Sequence, residues 1–324
     1  MTPSLSRRLF GKSIAGALAL APVAATTGGL SVMAATKGPV AITPFAQRRI
    51  GRFTVTFLSD GYADLPYGAI TGQDPAATEA AATAAYADSN GGLRLNFTQY
   101  LIDDGERLVL VDAGADGGIG ETGRLPQAFE TLGVDPAAID ALIITHGHFD
   151  HLSGAIADDT RVFQNAELYI DRRDVQHFTD PAKRSAAPDF LKSSFNTTEA
   201  LIRLYPQAQQ IEGGHQIMPG LETVDLTGHT PGHIGVRVSD GAESLLIVSD
   251  MLFHPVLHPQ STALGVAFEA DPAAAQAMRE TFFPVAAEEG ALIAATHMPF
   301  PGLGRIITDR GQFEWQPAPW ANAD

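Results

Sequence analysis

The sequence predicts an α/β sandwich that gathers polar side chains along one edge. Three observations carry this. Apolar runs of strand length alternate with helical stretches along most of the chain. One run, 141–145 (Ala-Leu-Ile-Ile-Thr), is continuously apolar, as a buried central strand requires. Four such runs end directly at, or within a few residues of, a histidine or aspartate, which is how a sandwich brings distant side chains together. The chain has 324 residues, of which 45% are hydrophobic, so one large core is affordable within a single domain spanning residues 36–324.

The elements follow in order. Residues 53–58 alternate like a strand, and Ser59-Asp60-Gly61 reads as the turn closing it. Residues 65–95 are irregular apart from an Ala-rich helical patch at 75–87, which suits a mobile flap or a packing arm. Strands at 97–102 and 108–112 flank the turn Asp103-Asp104-Gly105. A Gly-rich loop at 114–123 precedes a helix at 125–131; it lacks the GxxxxGK[ST] pattern of a phosphate cradle. The strand 141–145 comes next, then a strand at 166–170 and a helix at 187–204. Strands at 221–226, 234–238 and 244–249 follow. A helix over 272–289 stops at Gly290, and a last strand at 292–296 ends at His297.

Residues 1–35 stand apart. Ser6-Arg7-Arg8-Leu9-Phe10-Gly11-Lys12 is a twin-arginine pattern, followed by a weakly apolar stretch and small residues near Ala25, Ala34 and Ala35. This predicts a Tat signal peptide and a periplasmic or secreted location. Loss of 1–35 removes Arg7, Arg8 and Lys12 and no acid, so the net charge of −16 becomes −19. Such acidity disfavours nucleic acid and an anionic membrane surface as partners. No apolar run reaches the roughly 18 residues needed to span a bilayer. There is no cysteine, so any metal site must use histidine and carboxylate ligands.

The segment Thr145-His146-Gly147-His148-Phe149-Asp150-His151 places four candidate ligands within six residues, directly after a buried strand. A tight turn lets His146 and His148 face one point, and the helix start that follows turns Asp150 and His151 toward a second. Zinc takes imidazole and carboxylate donors at about 2.0–2.2 Å. His229 (in Gly228-His229-Thr230-Pro231-Gly232-His233), Asp250 and His297 each lie at or just beyond a strand end, and would complete two sites. His233 reads as structural.

This ordered set, His146, His148, Asp150, His151, His229, Asp250 and His297, resembles the five-motif signature of the metallo-β-lactamase superfamily. The resemblance implies a four-layer αβ/βα sandwich. It implies one metal on His146, His148 and His229, a second on Asp150, His151 and His297, and Asp250 bridging them. The cofactors expected are two Zn2+ per chain. His148 favours zinc over the iron of flavodiiron-type members, which carry Glu there, although other divalent metals suit the same donors. The implied chemistry is attack on an ester carbonyl by a hydroxide held between the metals, with Asp150 and Asp250 as the catalytic carboxylates and Asp150 passing a proton to the leaving alkoxide.

Within the superfamily, β-lactamases with a Cys ligand do not match, and Asp250 argues against the subclass lacking that Cys. Only 27 residues follow His297 (324 − 297), too few for the helical domain of glyoxalase II. Two groups remain, the N-acyl homoserine lactonases and the methyl parathion hydrolase group, and overall the chain most resembles the second, although that group is itself similar to lactone and ester hydrolases. The likeness lies in 100–114, 228–233 and the run His297-Met298-Pro299-Phe300-Pro301-Gly302-Leu303-Gly304-Arg305. A small-molecule lactone or ester is therefore the expected partner, most of all an N-acyl homoserine lactone. The alternatives are a phosphotriester or aryl ester and, outside catalysis, a periplasmic metal-binding role; a homodimer is left open. Short lactonases place a Tyr three residues after the bridging Asp, where this chain has Phe253. Phe149, Phe253, His254 and Phe300 are the candidates for the substrate pocket; ordinary core is the other reading of Phe149, Phe253 and Phe300, and loop surface that of His254 and His258. Asp112, ending its strand, is a candidate to hold a ligand histidine from behind.

Overall fold

The computed structural model describes residues 44–320, so the proposed signal peptide at 1–35 lies outside the described residues. Two sheets pack face to face. The first has the order Phe45–Ile50, Phe53–Pro66, Gly92–Asp103, Leu108–Val111, Ala141–Ile144, Glu167–Asp171 and Gln209–Ile211, with Asp88–Ser89 added to Gly92–Asp103. The second runs Gln216–Met218, Leu221–Asp225, Ile234–Asp240, Glu243–Ile247, Ile293–Ala294, Leu303–Asp309 and Gln312–Pro317.

The layers follow from where the apolar residues point. Phe53, Val55, Phe57, Tyr100, Val109 and Ile143 of the first sheet meet Val236, Val238, Leu245 and Ile247 of the second in one core. Alternate residues of the first sheet (Leu101, Leu110, Leu142, Ile144) face outward onto Phe129 and Leu201 of the helices Leu125–Leu132 and Lys192–Leu204. On the far side Leu246 and Ile293 meet Phe283 and Ala286 of the helix Pro272–Glu289. The result is the αβ/βα arrangement expected from the sequence. The central strands Leu108–Val111, Ala141–Ile144 and Glu167–Asp171 pair in parallel, and so do Glu243–Ile247 and Ile293–Ala294. Their C-terminal ends therefore lie at one edge, where loops can collect ligands.

Several helix starts share one signal. Asp74-Pro75, Asp180-Pro181 and Asp271-Pro272 each begin an α-helix and Asp135-Pro136 a 3-10 turn, with the aspartate accepting a backbone N–H of the first turn. Proline at the first position has no N–H to leave unpaired. The helix Pro272–Glu289 ends, as expected, at Gly290 in the left-handed conformation.

Three local expectations change. Ser59-Asp60-Gly61 is not a turn: the strand continues to Pro66, with a bulge between Ser59 and Gly61. The bulge frees Asp60, whose buried carboxylate accepts the N–H groups of Ala115 and Leu125 at 2.9 Å each and so pins the Gly-rich loop. Gly61 has φ +128°, and a Cβ there would meet Glu121 O at 2.0 Å, so the bulge needs glycine. Residues 65–95 are a packing arm, because the next strand starts at Gly92 and pairs with Leu65 and Ala63. The helix expected at 187–204 begins only at Lys192, after a 3-10 turn at Asp189–Leu191. Two helices, Arg172–Phe178 and Pro181–Ala186, precede it. No described helix is long and apolar enough to cross a membrane.

His177, on the first of these helices, has its pKa pushed down to about 4, by burial first and then by Lys183. The unfolded chain then binds a proton below the ordinary 6.5 that the folded chain refuses until about 4, so stability is lost as pH falls through that window. His177→Gln is expected to shrink the drop in melting temperature between about pH 7 and about pH 5 by about 2 °C, since the side chain is only half-buried. Thermal melts of both proteins at the two pH values check this; an unchanged drop contradicts it.

Candidate metal centre

All seven sequence-selected ligands converge at the sheet edge. His146 and His148 follow the strand Ala141–Ile144, and Asp150 and His151 sit in the short helix Phe149–Leu152 that starts after His148. His229 follows Leu221–Asp225, Asp250 lies in the turn Ser249–Met251 after Glu243–Ile247, and His297 follows Ile293–Ala294. Their donor atoms form two groups, His146, His148, His229 and Asp250, and Asp150, His151 and His297.

In the first group His148 Nδ1 lies 3.0 Å from both His146 Nε2 and His229 Nε2. In the second, Asp150 Oδ2 lies 3.5 Å from His151 Nε2 and from His297 Nε2. Asp250 touches both: Oδ2 is 3.7 Å from His146 Nε2, 3.3 Å from His229 Nε2 and 3.2 Å from His297 Nε2, and Oδ1 is 3.3 Å from His151 Nε2. Donors about 2.1 Å from a tetrahedral ion sit about 3.4 Å from one another. The spacings here scatter around that edge length.

The outer ring nitrogens are held by acceptors. His151 Nδ1 donates to Asp112 Oδ2 at 2.8 Å and His297 Nδ1 to the carbonyl of Asn96 at 2.9 Å. Each bond puts the ring proton on Nδ1 and leaves Nε2 as a lone pair facing the centre. His151 Nε2 is buried and has no hydrogen-bond partner among the described residues, an unmet polar atom that a cation satisfies. Burial, and repulsion among the rings, hold His146 and His148 well below the ordinary histidine pKa, so their lone pairs are free. Burial opposes charge on His151 as well, but Asp250, Asp150 and Asp112 outweigh it and push its pKa well up, so a cation taking the Nε2 lone pair does so by displacing a proton. The same carboxylates make the pocket attractive to cations. The residues present fit two divalent ions.

Asp112 is built for its position. Its carboxylate also accepts Thr145 N–H and Thr145 Oγ1–H, both at 2.8 Å, and its φ is +60°. Asparagine tolerates that backbone and keeps the volume, but cannot accept on both sides. Asp112→Asn is expected to weaken metal affinity about 10–100-fold with the fold intact. Chelator competition with circular dichroism measures this; unchanged affinity would contradict the role.

An apolar cavity of about 390 Å³ opens beside the centre, bordered by His148, Asp150 and His297. Leu65, Leu95, Phe97, Ile119, Phe149 and Phe268 are among the apolar residues that line it. Of the four residues expected to line a pocket, only Phe149 does so. Phe253 is fully buried behind the ligands, stacked on the His297 ring at 5.4 Å and tilted against His229. His254 is buried with Nδ1 accepting the N–H groups of Val256 and Leu257, so its ring closes the start of the helix Leu257–Gln260. Phe300 packs on the core between the sheets. His258 is also buried, which overturns the loop-surface reading. Each was selected by nearness to a ligand in sequence, and the chain turns away from the cavity within a few residues. Leu65, Leu95, Phe97 and Phe268 were missed; the alternation of 92–103 marks the strand that carries two of them, and Phe268 has no sequence signal. His233 holds the loop, with Nδ1 donating to Leu226 O at 3.0 Å and Nε2 accepting Asp250 N–H at 3.4 Å.

Residues 98–297 match the family model described as the Metallo-beta-lactamase superfamily. Among curated proteins the chain is 29% identical over 142 residues to the probable metallo-hydrolase YflN of Bacillus subtilis (strain 168), covering 41% of this chain and 52% of that one. It is 26% identical over 115 residues to an N-acyl homoserine lactonase of Bacillus sp, covering 35% of this chain and 38% of that one. The matches thus span about half or less of those relatives. Among solved structures it is similar to the hydrolase AbOPH (TM-score 0.81, 23% identity, 87% of this chain and 100% of that one). It is similar too to AidC, a dizinc quorum-quenching lactonase (TM-score 0.78, 22% identity, 86% of this chain and 98% of that one).

Proposed function

The chain belongs to the metallo-beta-lactamase superfamily, and from that premise we propose that it is a dinuclear zinc hydrolase that opens lactones, N-acyl homoserine lactones above all. The observation that carries the reading is the 390 Å³ apolar cavity lying directly against His148, Asp150 and His297. An acyl limb buries well there, at about 25 cal/mol per Å² of apolar surface removed from water, and its carbonyl then meets the ligand cluster. His146, His148 and His229 would hold one ion, Asp150, His151 and His297 the other, with Asp250 shared. Bound there, the ions would supply Lewis acidity and a water whose pKa is lowered toward about 7.

The protein's own groups do the rest. Asp112 and the Asn96 carbonyl lock the tautomers of His151 and His297. Asp150 is the ligand carboxylate that also lines the cavity, placed to pass a proton to the leaving alkoxide. Leu95, Phe97 and Phe149 exclude bulk water from the scissile bond. The Tat pattern and the acidity support action in the periplasm or outside the cell.

Organophosphate triester or aryl ester hydrolysis is the second reading, and Phe253 favours it. That ring carries no donor and is shut away from the cavity, so nothing at this position selects a lactone carbonyl. A panel of N-acyl homoserine lactones of graded chain length, aryl esters and methyl parathion separates the readings. Highest kcat/KM on the lactones supports the first; highest kcat/KM on methyl parathion or the aryl esters replaces it with the second.

A further inference from the structure

The helix Arg172–Phe178 lies against the two turns that carry His148 and His229, and one buried carboxylate ties it to both. Asp174 is fully buried. Its Oδ2 accepts Gly147 N–H and Thr230 Oγ1–H at 2.7 Å each, and Oδ1 accepts Gly232 N–H at 2.5 Å. Gly147 separates His146 from His148, while Thr230 follows His229 directly. Contact is close on both sides. A Cβ on Gly147 would lie 2.2 Å from the Phe178 ring, and one on Gly232 would lie 2.6 Å from Asp174 N. Two turns far apart in sequence are thus fixed to one short helix, and the ring nitrogens they carry face each other at 3.0 Å.

The other ligands are held differently. His151 is oriented by Asp112, His297 by the Asn96 carbonyl, and neither bonds to Asp174. Asp250 is tied to His233 through its backbone N–H.

We infer that Asp174 is a positioning residue for one half of the centre: it sets the spacing of His148 and His229, and so the geometry of the three-histidine subsite, while leaving the subsite of Asp150, His151 and His297 unaffected. The inference rests on the dinuclear reading above. In a carboxylate two oxygens accept three donors; asparagine at the same place presents an amide N–H to Gly147 or Gly232, so at least one turn is released. A released turn lets the imidazoles drift from the spacing one ion needs, and loss of such outer hydrogen bonds costs about 10–100-fold in metal affinity.

The test uses the full chain loaded with Co2+, titrated against a chelator and followed by its visible spectrum. Four variants accompany the wild type: Asp174→Asn, Thr230→Val, His229→Ala and His297→Ala. Thr230→Val removes only one of the three bonds and guards against misfolding of the first variant. The wild type is expected to hold two ions. Asp174→Asn should hold one ion with unchanged affinity and lose about 10–100-fold on the other, and Thr230→Val should do the same to a smaller degree. The ion retained in Asp174→Asn should have the spectrum of the ion retained in His229→Ala. Equal weakening of both ions, no weakening of either, or a retained spectrum matching His297→Ala overturns the inference. A wild type that binds no ion overturns the dinuclear reading, and the inference with it.

Discussion

Asp250→Ala is expected to reduce hydrolysis by at least about 10³-fold, on the scale of losing one element of a preorganised site, and to lower the metal content of the purified protein. The reason is its position. Its two oxygens lie within 3.2–3.7 Å of His146, His151, His229 and His297, so its carboxylate reaches ring nitrogens of both ligand groups. Burial opposes its charge, but His297, His151 and His146 hold its pKa well below the usual carboxylate range, so it is anionic in the folded protein. Alanine removes the negative charge that the two ligand groups share, which weakens the attraction for either cation. Elemental analysis and turnover of an aryl ester read the two consequences together. Normal metal content with lost turnover would confine Asp250 to chemistry; normal turnover would remove it from the centre altogether.

Arg279→Ala is expected to destabilise the protein by about 3–5 kcal/mol, because it strands a buried carboxylate. Arg279 is on the helix Pro272–Glu289, almost wholly inaccessible, with Nη1 donating to Glu269 Oε1 at 2.6 Å and Nε to Thr262 O at 2.9 Å. The other oxygen, Glu269 Oε2, is buried and has no hydrogen-bond partner among the described residues. The guanidinium therefore carries nearly all the compensation for that charge. At about 2–4 °C per kcal/mol for a domain of this size, the melting temperature should fall by roughly 10 °C. The segment it pins includes Ala267 and Phe268 of the cavity wall and Ala270, whose N–H donates to the His229 carbonyl at 2.8 Å. The double variant Arg279→Met with Glu269→Leu removes both charges and should recover most of the loss, as buried pairs replaced by apolar residues commonly do. Equal melting temperatures for Arg279→Ala and the wild type would show that the pair is not compensating anything.

The centre was legible in the sequence because its ligands obey local rules. Four lie within six residues, and the other three stand just past apolar runs, so strand ends alone locate them. The layered fold was legible for the same reason: period-2 and continuous apolar runs report directly on which face of a sheet is buried. The cavity was not. Phe253, His254 and Phe300 are neighbours of Asp250 and His297 along the chain, yet the backbone turns the first two into the interior and lays Phe300, partly buried, against the core between the sheets. The actual wall includes Leu65, Leu95 and Phe97 on two strands that pass the centre from an arm read as irregular. Asp60 misled for a physical reason as well: Ser-Asp-Gly reads as a turn, but here the aspartate is a bulge residue bonding a loop more than fifty positions away. Asp180-Pro181 carried the same helix-start signal as Asp271-Pro272 but lacked a long apolar periodicity behind it. Asp174 has no local signature, since its partners are backbone groups of distant turns.

The most direct measurement is metal-dependent turnover. The protein is purified, its metal content determined, and hydrolysis of an N-acyl homoserine lactone and an aryl ester followed before chelation, after chelation and after readdition of Zn2+. The account predicts two ions per chain, loss of hydrolysis with the metal, and its return as Zn2+ approaches two equivalents. Undiminished hydrolysis by the metal-free protein would contradict it.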